Sequence, residues 1–224
     1  VSGFPVRLPM VDINTVGAGG GSIAWFDRDG LMKVGPDSAG ADPGPACYGR
    51  GATRPTVSDA NAVLGRLPPD GLLGGALKLD IEAARNVIAP VARQLNMSVE
   101  RTAHGIISIV VANMVRAIRA VSVERGHDPR DFVLMAFGGA GALHATDVAR
   151  AIGIREIIVP RDPGILCAQG LVVADRKEEF VRSMRVPLVE QSLGLLGESI
   201  VSLRENAERW YESETKEGPR DLQA

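Results

Sequence analysis

Two glycine clusters and a few polar side chains near them are the parts of this sequence able to do chemistry. The first cluster, Gly17-Ala18-Gly19-Gly20-Gly21-Ser22, can turn several consecutive backbone N–H groups toward an anion, because missing side chains let phosphate oxygens reach the main chain. No Lys-Ser or Lys-Thr pair follows it, so it is not a Walker A loop, and a tight β-turn is the plain alternative. Asp12 lies just upstream, where a carboxylate can hold Mg²⁺ through water or orient a nucleophile, or serve structure alone. The second cluster, Gly138-Gly139-Ala140-Gly141, falls between an apolar run and a helix, the place where nucleotides bind at the carboxyl ends of strands. A dinucleotide fingerprint is one reading, with Asp162 as the ribose acid, but His144 stands where that fingerprint needs its third glycine. His144 itself is a candidate for acid/base chemistry or for donation to phosphate, against a structural role at a helix start. A Cys47–His144 thiol dyad lacks a third, orienting group. Asp59 and Asn61 suit either the wall of a cleft or a helix cap.

The elements that must carry these groups follow from periodicity and punctuation. Met10 to Val16 reads as a strand, Ile23 to Phe26 as a second, and Asp29-Gly30 as the hairpin turn into Leu31 to Val34. Residues 35 to 55 form a long Gly/Pro-rich loop. Three helices follow: one opening at Ser58, one starting at Asp80 with Pro90 predicting a kink or break, and one from the N-cap Ser98 to about Arg125, closed by Gly126. Phe132 to Phe137 is a buried strand, a helix runs from Leu143 to Ile152 with Gly153 at its end, and Ile157 to Pro160 is a second buried strand. Together they make a βαβ unit of parallel type. Gly164 to Ala174 reads as a helix, Glu178 to Val186 as a strand and Ser192 to Glu214 as an amphipathic helix. The economical architecture is one α/β domain.

Composition narrows the function classes. Glycine supplies 26 of 224 residues, about 12% against a usual ~7%, while aromatics are only 4%. Net charge is −2 with Lys and Arg scattered, so the basic face that nucleic acid requires is missing. The most apolar stretch, Gly105 to Met114, is shorter than the roughly 20 residues of a membrane crossing and runs into Arg116 and Arg119, so no membrane partner is expected. Two cysteines without CxxC or CxxH spacing speak against a zinc site or disulfide framework. The N-terminus shows no secretory pattern, and a cytoplasmic location is expected. The start at Val1 and the polar end at Ala224 point to a fragment of something longer.

Taken in order, the motifs carry a resemblance. Val11-Asp12-Ile13, Thr15 to Ala24, Gly35-Pro36, Ser38 to Ala41, Pro43 to Gly49 and Pro55-Thr56-Val57 with Asp59-Ala60-Asn61 resemble the hydantoinase A family. Ser122 to Gly126 and Phe137 to Gly141 with Leu143-His144-Ala145 continue the resemblance, which spans roughly residues 10 to 190. Ala52, Ala142 and Cys167 depart mildly from the family pattern, and none removes a phosphate or nucleotide contact.

The resemblance implies an α/β fold, the actin-like or sugar-kinase-like ATPase lobe with a mixed sheet flanked by helices. Residues 1–190 would belong to the second lobe and 191–224 to a helix leading onward. It implies ATP and Mg²⁺ as cofactors, with Gly17, Gly19, Gly20, Gly21 and Ser22 as the second phosphate loop beside Asp12, and Gly138, Gly139 and Gly141 as the adenosine motif. The first phosphate loop has no counterpart in these 224 residues. The activity implied is ATP-dependent opening of a cyclic amide such as a hydantoin or 5-oxoproline: phosphorylation of the carbonyl oxygen turns a reluctant amide into an electrophile, which water opens. Asp12 and His144 are the catalytic candidates. A hydantoinase B-type subunit or domain is the implied partner, within an oligomer. A nucleotide-binding scaffold of the same fold and a Rossmann-type oxidoreductase are the alternatives.

Overall fold

The computed structural model describes residues 13–68, 70–175, 177–187 and 189–214. Asp12, Val11 and Met10 lie outside the described residues. The chain packs as two compact units, Val1–Gly170 and Leu171–Ala224.

The first unit opens with the antiparallel hairpin β1 (Ser22–Phe26) and β2 (Met32–Ser38), in register Ala24 to Val34. Its turn is the predicted one: Gly30 takes φ +76°, and the Asp27 carboxylate accepts from the N–H groups of Asp29 and Leu31. On its other edge β1 meets the chain ahead of the first helix, where the Ala24 N–H donates to the Pro55 carbonyl. Residues 13–16 form no strand, because a strand needs a ladder partner and none lies beside them among the described residues.

Helix α1 (Val57–Val63) begins two residues earlier than a Ser58 cap would allow; Thr56 is the N-cap and forms a capping box with Asp59. Helix α2 (Ile81–Leu95) starts from the Asp80 cap as expected. Pro90 does not break it. Pro90 and Asn86, whose carbonyl loses its helical donor, both face solvent, while Ala84, Ile88, Val91 and Ala92 hold the opposite face in the core. Helix α3 (Val99–Val121) starts from Ser98, and a 3-10 turn, Val123–Arg125, carries the chain to Gly126 at φ +83°. By length and composition the stretch Val99–Arg125 could cross a bilayer, unlike the shorter run Gly105 to Met114 read from the sequence; Ala103, Ile106, Ile107, Val110, Val111 and Val115 on one side of it pack in the core.

The parallel pair is present but short: β3 (Leu134–Met135) lies beside β4 (Ile157–Ile158), with α4 (Gly141–Ile152) as the crossover and Gly153 at φ +80° as its C-cap. Among the described residues the strands therefore form two separate two-stranded sheets, not one mixed sheet. Phe132, Val133, Met135, Phe137, Ile158 and Val159 remain exposed around the parallel pair. The core itself is built from small aliphatic residues, among them Ala24, Val34, Val57, Ala60, Ile88, Ala103, Ile106 and Val148.

After a 3-10 turn (Pro163–Ile165), α5 (Leu166–Val173) fits the predicted helix but buries none of its residues. In the second unit the predicted strand Glu178 to Val186 is absent. That segment has no regular secondary structure, and Phe180 rests edge-on against Trp210 of α6 (Leu193–Glu214), ring centres 6.3 Å apart.

Candidate functional site

The first glycine loop is held from within and from both sides. The Ser22 hydroxyl clasps it, accepting from the Gly19 N–H at 2.9 Å and donating to the Gly17 carbonyl at 3.1 Å. The Gly20 carbonyl accepts from the Ser58 N–H at 2.8 Å, and the Gly21 carbonyl from the Ala39 N–H at 2.9 Å. With its carbonyls tied and the Gly19 amide used, the loop keeps the Gly20 and Gly21 N–H groups without an acceptor among the described residues. Two successive free amides of this kind make an anion-binding concavity. Of the predicted loop residues, Gly19 and Ser22 are thus engaged inside the loop, while Gly20 and Gly21 present free donors.

Space at Gly20 locates the second loop. A β-carbon there would lie 2.7 Å from the Ser58 Oγ and 3.9 Å from the Ala140 Cβ, so α1 and the Gly138–Gly141 loop both reach the same point of the first loop. The two glycine clusters, more than a hundred residues apart in sequence, therefore meet on one side of the unit. A hollow of about 330 Å³ extends from this region, with Asn14, Val16, Phe137, Gly141 and Ala145 among its walls.

Gly138 takes φ +86° and its N–H donates to the Pro163 carbonyl, which turns the chain out of β3. Nothing lies within 4 Å of a β-carbon built at Gly139 or Gly141, so these glycines border open space. Helix α4 begins here with Ala140 as N-cap, no side-chain cap and no acidic residue in its first turn. The Leu143 N–H donates back to the Ala140 carbonyl at 3.2 Å, while the Gly141 and Ala142 N–H groups have no acceptor among the described residues, as at any helix start that can favour an anion.

Asp59 is the residue that sets α1 against this loop. It is fully buried, and its carboxylate accepts from the Cys47 N–H at 2.7 Å, the Thr56 N–H at 2.9 Å and the Thr56 hydroxyl at 2.7 Å. The Gly/Pro loop around Cys47 is thereby pinned to the turn that presents Ser58. Capping, and not the wall of a cleft, is what Asp59 does. Asn61 is buried in α1, and its Oδ1 has no partner among the described residues. Cys47 is no nucleophile: burial, with the Asp59 carboxylate adding to it, pushes its thiol far above the ordinary range.

His144 lies on the inner face of α4 at 0% exposure, and neither ring nitrogen has a partner among the described residues. Burial, and after it the Arg66 cation, lowers its pKa; Asp147 pulls the other way. The ring is therefore neutral and enclosed, next to the ion pair in which Arg66 Nη1 meets Asp147 Oδ2 at 2.8 Å. That pair, between residues 81 apart, carries no sequence signal. A larger open groove of about 660 Å³ between α3 and α4 is lined by Arg66, His104, Arg116 and Arg119 and contains none of the predicted site residues. Among the described residues no three or more His, Cys, Asp or Glu gather as metal ligands.

The first unit is thus a mixed α/β unit in which a glycine loop and a glycine-led helix start converge. The hydantoinase/oxoprolinase family pattern matches residues 1–180, and the chain belongs to that family. The chain is 43% identical to the caprolactamase alpha subunit of Pseudomonas jessenii, covering 90% of this chain and 30% of that subunit. The crystal structure of the ATP-dependent caprolactamase from that organism aligns with a TM-score of 0.70 at 40% identity, over 95% of this chain and 31% of that one. 5-Oxoprolinase 1 of Arabidopsis thaliana is 38% identical over 95% of this chain and 18% of its own length. The nucleotide-free structure of acetone carboxylase aligns with a TM-score of 0.66 at 36% identity, over 71% of this chain and 23% of that one. The chain thus spans less than a third of each of these relatives.

Proposed function

We propose that this chain is the second ATPase lobe, actin-like or sugar-kinase-like, of an ATP-dependent cyclic-amide hydrolase. The observation that carries the reading is the meeting of the two glycine loops at Gly20, with free amides on each. The relatives' descriptions as ATP-dependent support it. Bound ATP would supply the phosphoryl group that activates a lactam or imide carbonyl oxygen, so that water can open the ring. The chain's own part is positioning and charge stabilisation, which phosphoryl transfer chiefly needs. In this reading the Gly20 and Gly21 amides donate to the phosphate chain, and the backbone at Gly138, Gly139 and Gly141 lets the nucleoside come close. Asp12, a carboxylate just upstream of the loop in sequence, would hold Mg²⁺, a hard cation that takes oxygen ligands. His144 holds α4 in place from within the core.

The Rossmann-type alternative loses its support at the same residue, since the position of its third glycine is filled by a buried imidazole. The complete enzyme is proposed to work in the cytoplasm as an oligomer with a hydantoinase B-type partner; relatives named as subunits support an assembly. Calorimetry with ATP, ADP and NAD⁺ on the full-length subunit, followed by ATP hydrolysis with hydantoin, 5-oxoproline and caprolactam, tests the reading. ATP binding with hydrolysis stimulated by one of these rings is expected. Preference for NAD⁺ would overturn it, and ATP binding without stimulation would favour a scaffold.

A further inference from the structure

Three serine hydroxyls lie beside the first glycine loop. Ser22 Oγ both accepts and donates within the loop, and Ser38 Oγ, which a β-carbon at Gly21 would approach to 2.7 Å, is exposed and accepts from the Gly40 N–H at 3.2 Å while its own donor is unspent among the described residues. Ser58 differs. Its N–H is spent on the Gly20 carbonyl, but its hydroxyl has no hydrogen-bond partner among the described residues. It is half-buried and is fixed beside the loop by the Asp59 clamp one residue later. The place it occupies is the one that a side chain at Gly20 would fill, next to the Gly20 and Gly21 amides and Ala140. A hydroxyl can donate one hydrogen bond and can rotate to find its acceptor. An unspent donor beside two unspent amides, on a carbonyl-tied loop, completes a cluster of donors with no acceptor of its own.

From this we infer that the Ser58 hydroxyl is a direct ligand of the bound phosphate chain, a third donor beside the Gly20 and Gly21 amides, and that residue 20 is glycine because any side chain there would displace it. The inference rests on the nucleotide reading above and adds to it a residue on α1. A hydrogen bond to a charged oxygen is worth more than one between neutral groups, so its loss is measurable in binding alone.

The test uses the full-length subunit and a non-hydrolysable ATP analogue, with adenosine as the ligand that lacks phosphate. Ser58→Ala should weaken the analogue by roughly 10- to 100-fold, as expected for one donor to an anion, and leave adenosine unchanged. Ser58→Thr, which keeps the hydroxyl, should restore most of the affinity. Gly20→Ala should mimic Ser58→Ala, and in the Ser58→Ala background it should cost little more, since both act on one hydroxyl. The melting temperature of Ser58→Ala should match the parent, because no protein hydrogen bond is removed. Wild-type affinity for the analogue in Ser58→Ala, or equal losses for analogue and adenosine, would overturn the role of Ser58 and leave the nucleotide reading standing. Binding of neither ligand by the parent would overturn both.

Discussion

Replacing Asp59 by alanine tests the clamp that positions α1. The carboxylate is fully buried and accepts from two backbone N–H groups, those of Cys47 and Thr56, and from the Thr56 hydroxyl. Alanine removes the Asp59 half of the capping box, the Thr56 N–H bond, together with the Cys47 N–H bond. Both backbone donors are left buried without acceptors, at about 1–3 kcal/mol each, so the loss should reach about 2–6 kcal/mol. That is a large share of the roughly 5–15 kcal/mol by which domains are stable. With a urea slope of about 2 kcal/mol/M the unfolding midpoint should fall by about 1–3 M. Asp59→Asn keeps one carbonyl oxygen but sets an NH₂ against a donor, and should lie between. Hydrogen exchange gives a second readout: the Ser58 amide, protected by the Gly20 carbonyl, should exchange faster in Asp59→Ala under native conditions. A loss below about 1 kcal/mol with unchanged Ser58 protection would refute the claim that this carboxylate holds the loop to α1.

The remaining expectations concern other parts of the unit. Gly138→Ala forces a β-carbon onto φ +86° and should cost about 1 kcal/mol or more, whereas Gly139→Val, facing open space, should leave the urea midpoint nearly unchanged and weaken ATP binding about tenfold or more in calorimetry. Because the folded pKa of His144 lies below its unfolded value, the unfolded chain takes up the proton first; stability should be full above the ordinary histidine range near 6.5 and fall as pH drops through it, by at most about 1.4 kcal/mol per pH unit. Urea midpoints at pH 7.5 and 5.5 should show that slope in the parent and a flatter one in His144→Leu. A thiol reagent should titrate exposed Cys167 at once and buried Cys47 only after denaturation, and rapid reaction of both in the native chain would contradict the packing around Asp59.

Caps were legible because they are local. Asp80, Ser98 and Gly153 bound their elements where the sequence places them, since each acts on backbone groups within a few residues, whereas α3 stops at Val121 and Gly126 closes only the 3-10 turn beyond it. At α1 two nearby hydroxyl residues compete as caps, and the Thr56-x-x-Asp59 spacing of a capping box is the signal that favours Thr56 over Ser58. Strands were less legible, because a strand exists only with a partner: residues 13–16 and 178–186 have suitable side chains but no ladder beside them. The glycine loops could be named from sequence, yet their meeting at Gly20 could not, and neither could the Arg66–Asp147 pair, since both depend on how α1 and α4 are carried. The burial of His144 was hidden for the same reason, a histidine near a helix start being equally at home on either face.

Helix α3 packs against α1, which carries Ser58, and against α4, which begins at the second glycine loop. At 1.5 Å per residue its 23 residues make a rod about 35 Å long. In the proposed nucleotide reading, both halves of the phosphate-facing surface are therefore bolted to a single girder, and the gap between them is set before any ligand arrives. Such a surface meets an anion without first spending entropy on bringing its donors together, and any opening or closing that accompanies turnover has to swing this unit as one solid piece.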